Sequence, residues 1–474
     1  GLAPRAWVAV AKILPAFGAL PRLVLPYVRA LRWIRLGCEH SAPKDSKPNG
    51  NGLVNFLKLF NFILAMALLS FLLTTTSTVV STDVNGVAYF GSLNGTTVTT
   101  ATVNMAGGTP TLALDPINFP RVETNGAVAW IAVSDTLPNS KRHPFAVIAV
   151  RSKNMTGGGA ILSHIINKNT GQLSSTPISS TAFAPVHIAI DPSSAQWLIA
   201  CDYGGGTCAS FTIDPSTHSI GAKASSTVAF SVEPNPPSPR QNSSHPHQAR
   251  FAPGPKGVDG LSGPFTIFIP DLGGDRVHHV ELDAASGVLT LIEGKSLVFP
   301  RGKGPRHMKW SPSLEHAYVV CELSNEIAVF DYDGTIGEFT STMPRQFIST
   351  LAPDHPVAEF SKAAEIAISQ DGKKLFAANR GNQSIAAYSI STSGALMLHS
   401  TILGVAWPRD IAVLGNSLLA IERDATKANG GTTLFGGVAV YDLDGDSPRA
   451  PGAKPRQMIE MPSPASFVFH EVVL

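Results

Sequence analysis

Short apolar runs separated by Pro, Asp, Gly and Asn turns recur along this chain from about residue 183 onward. Each unit opens with an alternating run, at 186–192, 247–253, 306–312, 364–370 and, in degraded form, 409–415. A second apolar run then ends in a Gly-, Asn- or Asp-rich hairpin, at 202–211, 271–277, 321–327 and 379–385. A third alternating strand follows, as at 385–388, and a fourth lies beyond the turn at Ser393 and Gly394. Four strands per unit, with no helical period between units, predict the blades of a β-propeller. Weaker copies at 83–124 and 125–180 bring the count to seven, which leaves the run 465–473 as a spare strand. An open ring would leave an edge strand free to pair, so this last strand is expected to complete the blade that begins near Val87 to Phe90. The predicted fold class is all-β, a seven-bladed β-propeller over 83–474 closed by a C-terminal strand.

Ahead of the ring the pattern changes. Residues 53–73 form an almost continuous apolar run of 21 residues. Arg22, Arg29, Arg32, Arg35, Lys44 and Lys47 lie upstream of it, and 74–82 carry no charge. That asymmetry predicts an N-terminal hydrophobic signal or anchor segment that contacts membrane, preceded by a basic, poorly defined extension over 1–52. A secreted or membrane-anchored protein with the propeller outside is the expectation; were the extension an artefact of the gene model, the ring would be cytoplasmic.

Charge and motifs narrow the chemistry. Thirty-six basic and 34 acidic residues give a formal charge of +2, and no Lys/Arg cluster is interleaved with aromatics in the repeats, so a nucleic-acid partner is not expected. Cys201 and Cys208 flank their hairpin symmetrically, which sets them opposite each other on adjacent strands and predicts a disulfide in an exported ring. The alternative is two small buried apolar residues. Cys38 and Cys321 have no evident partner. Asn94, Asn154, Asn242 and Asn382 head triplets of glycosylation-acceptor form. The absence of CxxC, HExxH or clustered Cys and His leaves no metal predicted. The Gly-rich stretches at 203–206 and 272–274 lead into strands, not helices, so no dinucleotide or other cofactor is expected. No GxSxG elbow supports a serine nucleophile.

The repeat register locates a candidate site. The start of a blade's innermost strand and the end of its second strand lie on one face of the ring, and the polar exceptions fall at those two places. Strand entries carry Val186, His247, Arg306, Ala364 and Arg409; strand exits carry Tyr203, Leu272, Glu322, Arg380 and Glu422 or Arg423. His247, Arg306, Glu322 and Arg380 together offer a carboxylate, an imidazole and two planar guanidiniums. Such a set can hold an anion and move a proton. Arginines beside Glu322 would lower its pKa while burial would raise it. Two readings stay open: the four residues form a site, or they bridge neighbouring blades, with Glu322 and Arg380 as an interblade ion pair.

Five segments carry a family resemblance: HPHQ at 245–248, PDLGGDRV at 270–277, GPRHM at 304–308, YVVCELSN at 318–325 and ANRGNQSI at 378–385. Together and in this order they resemble the seven-bladed lactonase family, which includes cycloisomerase-type 6-phosphogluconolactonases and fungal carboxy-cis,cis-muconate cyclases. The resemblance implies a metal-free enzyme without nucleotide that opens or forms a small anionic lactone or carboxylate. It implies Glu322 and His247 as catalytic residues and Arg306 and Arg380 as anion clamps; the register adds Tyr203 and Arg409 to the expected substrate-binding set, together with His307 beside Arg306. Cys321 stands where relatives usually have Asn before the Glu, and Asp202 where they have Asn before the Gly-rich hairpin. A secreted propeller that binds a ligand or protein without catalysis is the alternative reading.

Overall fold

A computed structural model describes residues 85–471 apart from 94–95, 115–120, 135–143, 152–157, 182, 255–263, 354–359, 424–435, 444–453 and 462–463. The extension 1–52, the apolar run 53–73, Asn94, Asn154 and the hairpin beyond Arg423 lie outside the described residues. The ring falls within one compact unit, Ser81–Leu474.

Seven antiparallel sheets of four or five strands make up that unit. In the first blade the C-terminal strand Pro464–Glu471 is innermost and pairs with Asn85–Ser92, with Val87 opposite His470 and Phe90 opposite Phe467. The expected closure therefore holds: the two ends of the ring are laced by backbone hydrogen bonds, and no blade edge is left open at the seam.

Each second strand is apolar on both faces because both faces meet neighbouring blades. Phe145–Arg151 (FAVIAVR) and Phe265–Asp271 (FTIFIPD) are buried almost throughout. Outer strands such as Leu396–Leu403 instead alternate buried with exposed positions, as a strand with one wet face must. The apolar layers lie between blades. Ile199, Phe265, Ile267 and Leu282, for example, join the third blade to the fourth. Long aromatics add polar ties across the same seams. The Trp197 indole N–H donates to the Ala284 carbonyl at 2.9 Å, and the Tyr318 hydroxyl to the Gly394 carbonyl at 3.1 Å.

The inner strands depart from regular pairing at their entries. The register slips between Val128 and Trp130, between Pro305 and His307, between Ala363 and Ile366, and between Pro408 and Asp410. In each case one extra residue sits opposite the second strand, which is the form of a β-bulge. A bulge re-aims side chains that would otherwise alternate. Arg306 and His307 both line the axial cavity, and so do Arg409 and Asp410.

Candidate active site

At the mouth of the ring one carboxylate gathers three guanidiniums. Glu322, at the exit of the fifth blade's second strand, is 1 % exposed. Its Oε2 lies 2.6 Å from Arg380 Nη2 and 3.1 Å from Arg306 Nε, and its Oε1 meets Arg240 Nη1. Burial alone would raise this carboxyl, but Arg380, Arg306, Arg240 and His247 together hold it well below the usual carboxylate range. The two opposing effects foreseen from sequence are thus resolved in favour of the charges.

Backbone carbonyls aim the two inner arginines. Arg380 Nη2 donates to the Ala363 carbonyl at 3.2 Å, and Arg306 Nη1 to the Ala364 carbonyl. The entry of the sixth blade thereby orients cations from both the fifth and the sixth. The ion pair between Glu322 and Arg380 does bridge two blades, so the interblade reading and the site reading describe the same residues.

Arg240 is the member sequence reasoning missed. It comes from the long Pro-rich connection between the third and fourth blades, on a short 3₁₀ turn, Pro239–Gln241, with Ser238 as N-cap. Gln241 pins that turn by donating to the Leu272 carbonyl at 3.0 Å. Arg240 Nη2 also donates to the Tyr203 hydroxyl at 2.7 Å. Its side chain is 34 % exposed, against 3 % for Arg306 and 10 % for Arg380, so it forms the outer wall of the cage. A single arginine in an unusually long, Pro-rich interblade connection was the available signal.

Tyr203 stands at the tip of the hairpin tied by a disulfide between Cys201 and Cys208, which sit directly opposite each other with Cα atoms 4.1 Å apart. The ring of Tyr203 stacks on His245 at 4.2 Å and meets His247 edge-on at 5.5 Å. Replacing both cysteines by serine is expected to cost about 2–3 kcal/mol through loop entropy. Urea midpoints of oxidised wild type, reduced wild type and the double variant test this; an unchanged midpoint would mean that the strand ladder alone holds the hairpin. Cys321 is a free, buried thiol.

Behind the mouth lies a second polar layer. His247 Nδ1 is 3.1 Å from His307 Nε2, and His307 Nδ1 meets Glu365 Oε2. Lys309 Nζ is 3.4 Å from Glu365 Oε1. His307 thus has both ring nitrogens engaged while its ring lines the same cavity as His247 and Arg306. Burial first, then Arg306 and other cations, hold His247 and His307 well below the ordinary histidine range, so both imidazoles are neutral at pH 7.

Arg409 completes the lining. Burial and the Arg306, Arg380 and Arg423 guanidiniums bring it down to about 9, so it remains a cation at neutral pH. Among the described residues no carboxylate comes within ion-pair distance of it. Of the seventh blade's exit candidates, Glu422 hydrogen-bonds Tyr441, and Arg423 lies 5.2 Å from the Trp407 ring with its charge acting on Arg409. Asn242 is exposed, while Asn382 is half-buried and accepts from its own triplet's Ser384 hydroxyl at 2.7 Å.

The model of the family described as "Lactonase, 7-bladed beta-propeller" matches residues 89–429, most of the ring. The chain belongs to the seven-bladed lactonase family. A 6-phosphogluconolactonase of Bacillus subtilis is 31 % identical over 261 residues, which are 54 % of this chain and 67 % of that relative. The structure of a periplasmic gluconolactonase of Pseudomonas aeruginosa superposes with a TM-score of 0.64 over 82 % of this chain and all of its own, at 21 % identity. That second likeness speaks for the fold.

Proposed function

We propose that this member of the lactonase family hydrolyses a small lactone bearing a negative group, with 6-phosphogluconolactone as the type of substrate. The observation that carries the reading is the excess of guanidiniums over carboxylate at the mouth: Arg240, Arg306 and Arg380 on Glu322, with Arg409 lining the cavity beside them. Such an excess of fixed cations has electrostatic use only if an anion joins it.

The sequence of events follows from charge. An entering phosphate or carboxylate competes with Glu322 for guanidiniums, and Arg409, within ion-pair distance of no carboxylate among the described residues, has the least to give up. As the cage is shared, the pKa of Glu322 climbs from its depressed value toward the range where a carboxylate accepts a proton. Glu322 then takes the proton of the attacking water, while the neutral imidazole of His247 gives one to the departing ring oxygen. Guanidiniums left facing the carbonyl oxygen stabilise the tetrahedral oxyanion.

The test is a panel of 6-phosphogluconolactone, gluconolactone and carboxymuconate presented to the purified ring. Turnover of the phosphorylated lactone with the highest kcat/KM is expected. Exclusive conversion of carboxymuconate would redirect the reading to lactone formation, and turnover of none by folded protein would favour a binding propeller.

A further inference from the structure

Behind His247 the molecule holds a row of buried groups for which lactone binding has no use. His307, Glu365 and Asp410 are 2 %, 1 % and 6 % exposed and come from the inner strands of the fifth, sixth and seventh blades. Each occupies the second position of its strand entry, one residue past the position that faces the mouth. Contacts run without a gap from His247 Nδ1 to His307 Nε2 and from His307 Nδ1 to the Glu365 carboxyl. Asp410 lies beside Glu365 in the cavity and accepts the Phe467 backbone N–H at 3.1 Å. Among the described residues nothing hydrogen-bonds His247 Nε2, and His247 lines the cavity.

We propose that Glu365 and Asp410 share a proton and that His307 relays it to His247, so that His247 Nε2 gives up and regains a proton without the ring ever becoming a cation. This rests on the lactonase reading for the identity of the proton's acceptor, but not for the relay itself.

The electrostatics explain why a relay is needed. His247 and His307 face Arg306 and Arg409, and His307 also faces Lys309 and Arg250, so an imidazolium among them is strongly disfavoured. A histidine in that setting does acid–base work only if charge is passed on as protons move. Two buried carboxyls side by side cannot both ionise easily, and burial with the neighbouring Glu365 raises Asp410 to about 7. Lys309 balances the one negative charge that the pair retains. His187, whose ring meets His307 edge-on at 5.8 Å, and Trp130 at 5.6 Å close the sides of the row.

The step balances. With the shared proton on Glu365, its O–H donates to His307 Nδ1, His307 Nε2–H donates to His247 Nδ1, and His247 carries its proton on Nε2. That proton goes to the departing ring oxygen as the acyl C–O bond breaks. The His307 Nε2 proton moves to His247 Nδ1 and the Glu365 proton to His307 Nδ1, leaving both imidazoles neutral and both carboxyls ionised. Glu322, which holds the water's proton, returns it to His247 Nε2, and the row shifts back. His307, Glu365 and Asp410 are therefore positioning residues that act through His247.

Glu365→Gln is the decisive variant, because an amide donates the same hydrogen bond to His307 but cannot surrender its proton. Expected is a fall in kcat of about 10- to 100-fold, a small share of the usual range for acid–base catalysis, with KM within about twofold. In Asp410→Asn, the alkaline limb of the kcat profile near pH 7 is expected to be lost or displaced, since the buried carboxyl raised to about 7 is no longer there to share the proton. Wild-type kcat and an unchanged pH profile in both variants would overturn the relay. Histidine ¹⁵N NMR reads the same claim without substrate: in wild type both rings stay neutral, and their tautomers switch together as pH rises through about 7. In Glu365→Gln no switch is expected. Rings that titrate to imidazolium near their ordinary pKa would sink the relay even if lactones are turned over. A lactone-inactive wild type with the tautomer switch intact would instead remove only the substrate reading.

Discussion

Glu322→Gln is expected to lower kcat for lactone hydrolysis by about a hundred- to ten-thousand-fold. The variant keeps the volume and one hydrogen-bonding oxygen but removes the only negative charge in a cage of three guanidiniums. Stability should fall with activity, because removing one member of a buried ionic cluster leaves the others uncompensated, at about 3–5 kcal/mol. Inorganic phosphate then separates the two effects. An added anion supplies the missing charge, so phosphate should raise the thermal midpoint of the variant more than that of wild type. Turnover should not return with it.

The pH dependence has a definite sign. In the folded protein Glu322 titrates well below its unfolded value of about 4.3. Such a group adds stability that is complete above the unfolded pKa and is lost as pH falls toward the folded one. Wild type therefore has an acid limb, beginning below about pH 5, that is shallower in Glu322→Gln. Acid unfolding curves check it. A variant with wild-type kcat would remove Glu322 from the chemistry and leave it an interblade ion pair.

The mouth of the ring was legible in sequence because the repeat is a ruler. Once 306–312 and 364–370 are aligned, Arg306 and Ala364 occupy one geometric position, and blade symmetry carries that position to the axis. The exits were legible in the same way, since Glu322 and Arg380 each follow the last residue of a buried second strand. The deeper layer was hidden by the period of a β-strand. Residues next to each other in a strand point to opposite faces, so the register passed over Glu365 beside Ala364 and Asp410 beside Arg409, while His307 entered the expected set through its place beside Arg306 in the GPRHM segment. The bulges at these entries break that rule, and nothing in an apolar-polar pattern announces a bulge. A signal was nonetheless present: the second positions His187, Gln248, His307, Glu365 and Asp410 are all polar, and all five are buried. Arg240 escaped for a different reason. It lies outside the repeat, in a connection whose path is fixed by Gln241 and by the Arg301 contact to the Pro234 carbonyl, not by strand pairing.

Arg409→Met should separate anion recognition from proton transfer. Arg306 and Arg380 are bound to Glu322 and to the carbonyls of the sixth blade's entry, so their cationic charge is partly spent within the protein. Among the described residues Arg409 has no such partner, yet Arg306 and Arg380 both repel it. A cation held among cations is the position from which binding an anion gains most. Losing one charge-assisted hydrogen bond, worth about 1.5–3 kcal/mol, corresponds to about a 10- to 100-fold drop in kcat/KM for 6-phosphogluconolactone, carried mainly by KM. For uncharged gluconolactone the change should stay within about twofold, because that substrate has no anion to lose. Lys in place of Met should recover only part of the effect, since an ammonium keeps the charge without the planar two-donor fork. Equal losses for the charged and uncharged lactones would mean that Arg409 shapes the cavity for the reaction and does not select its substrate.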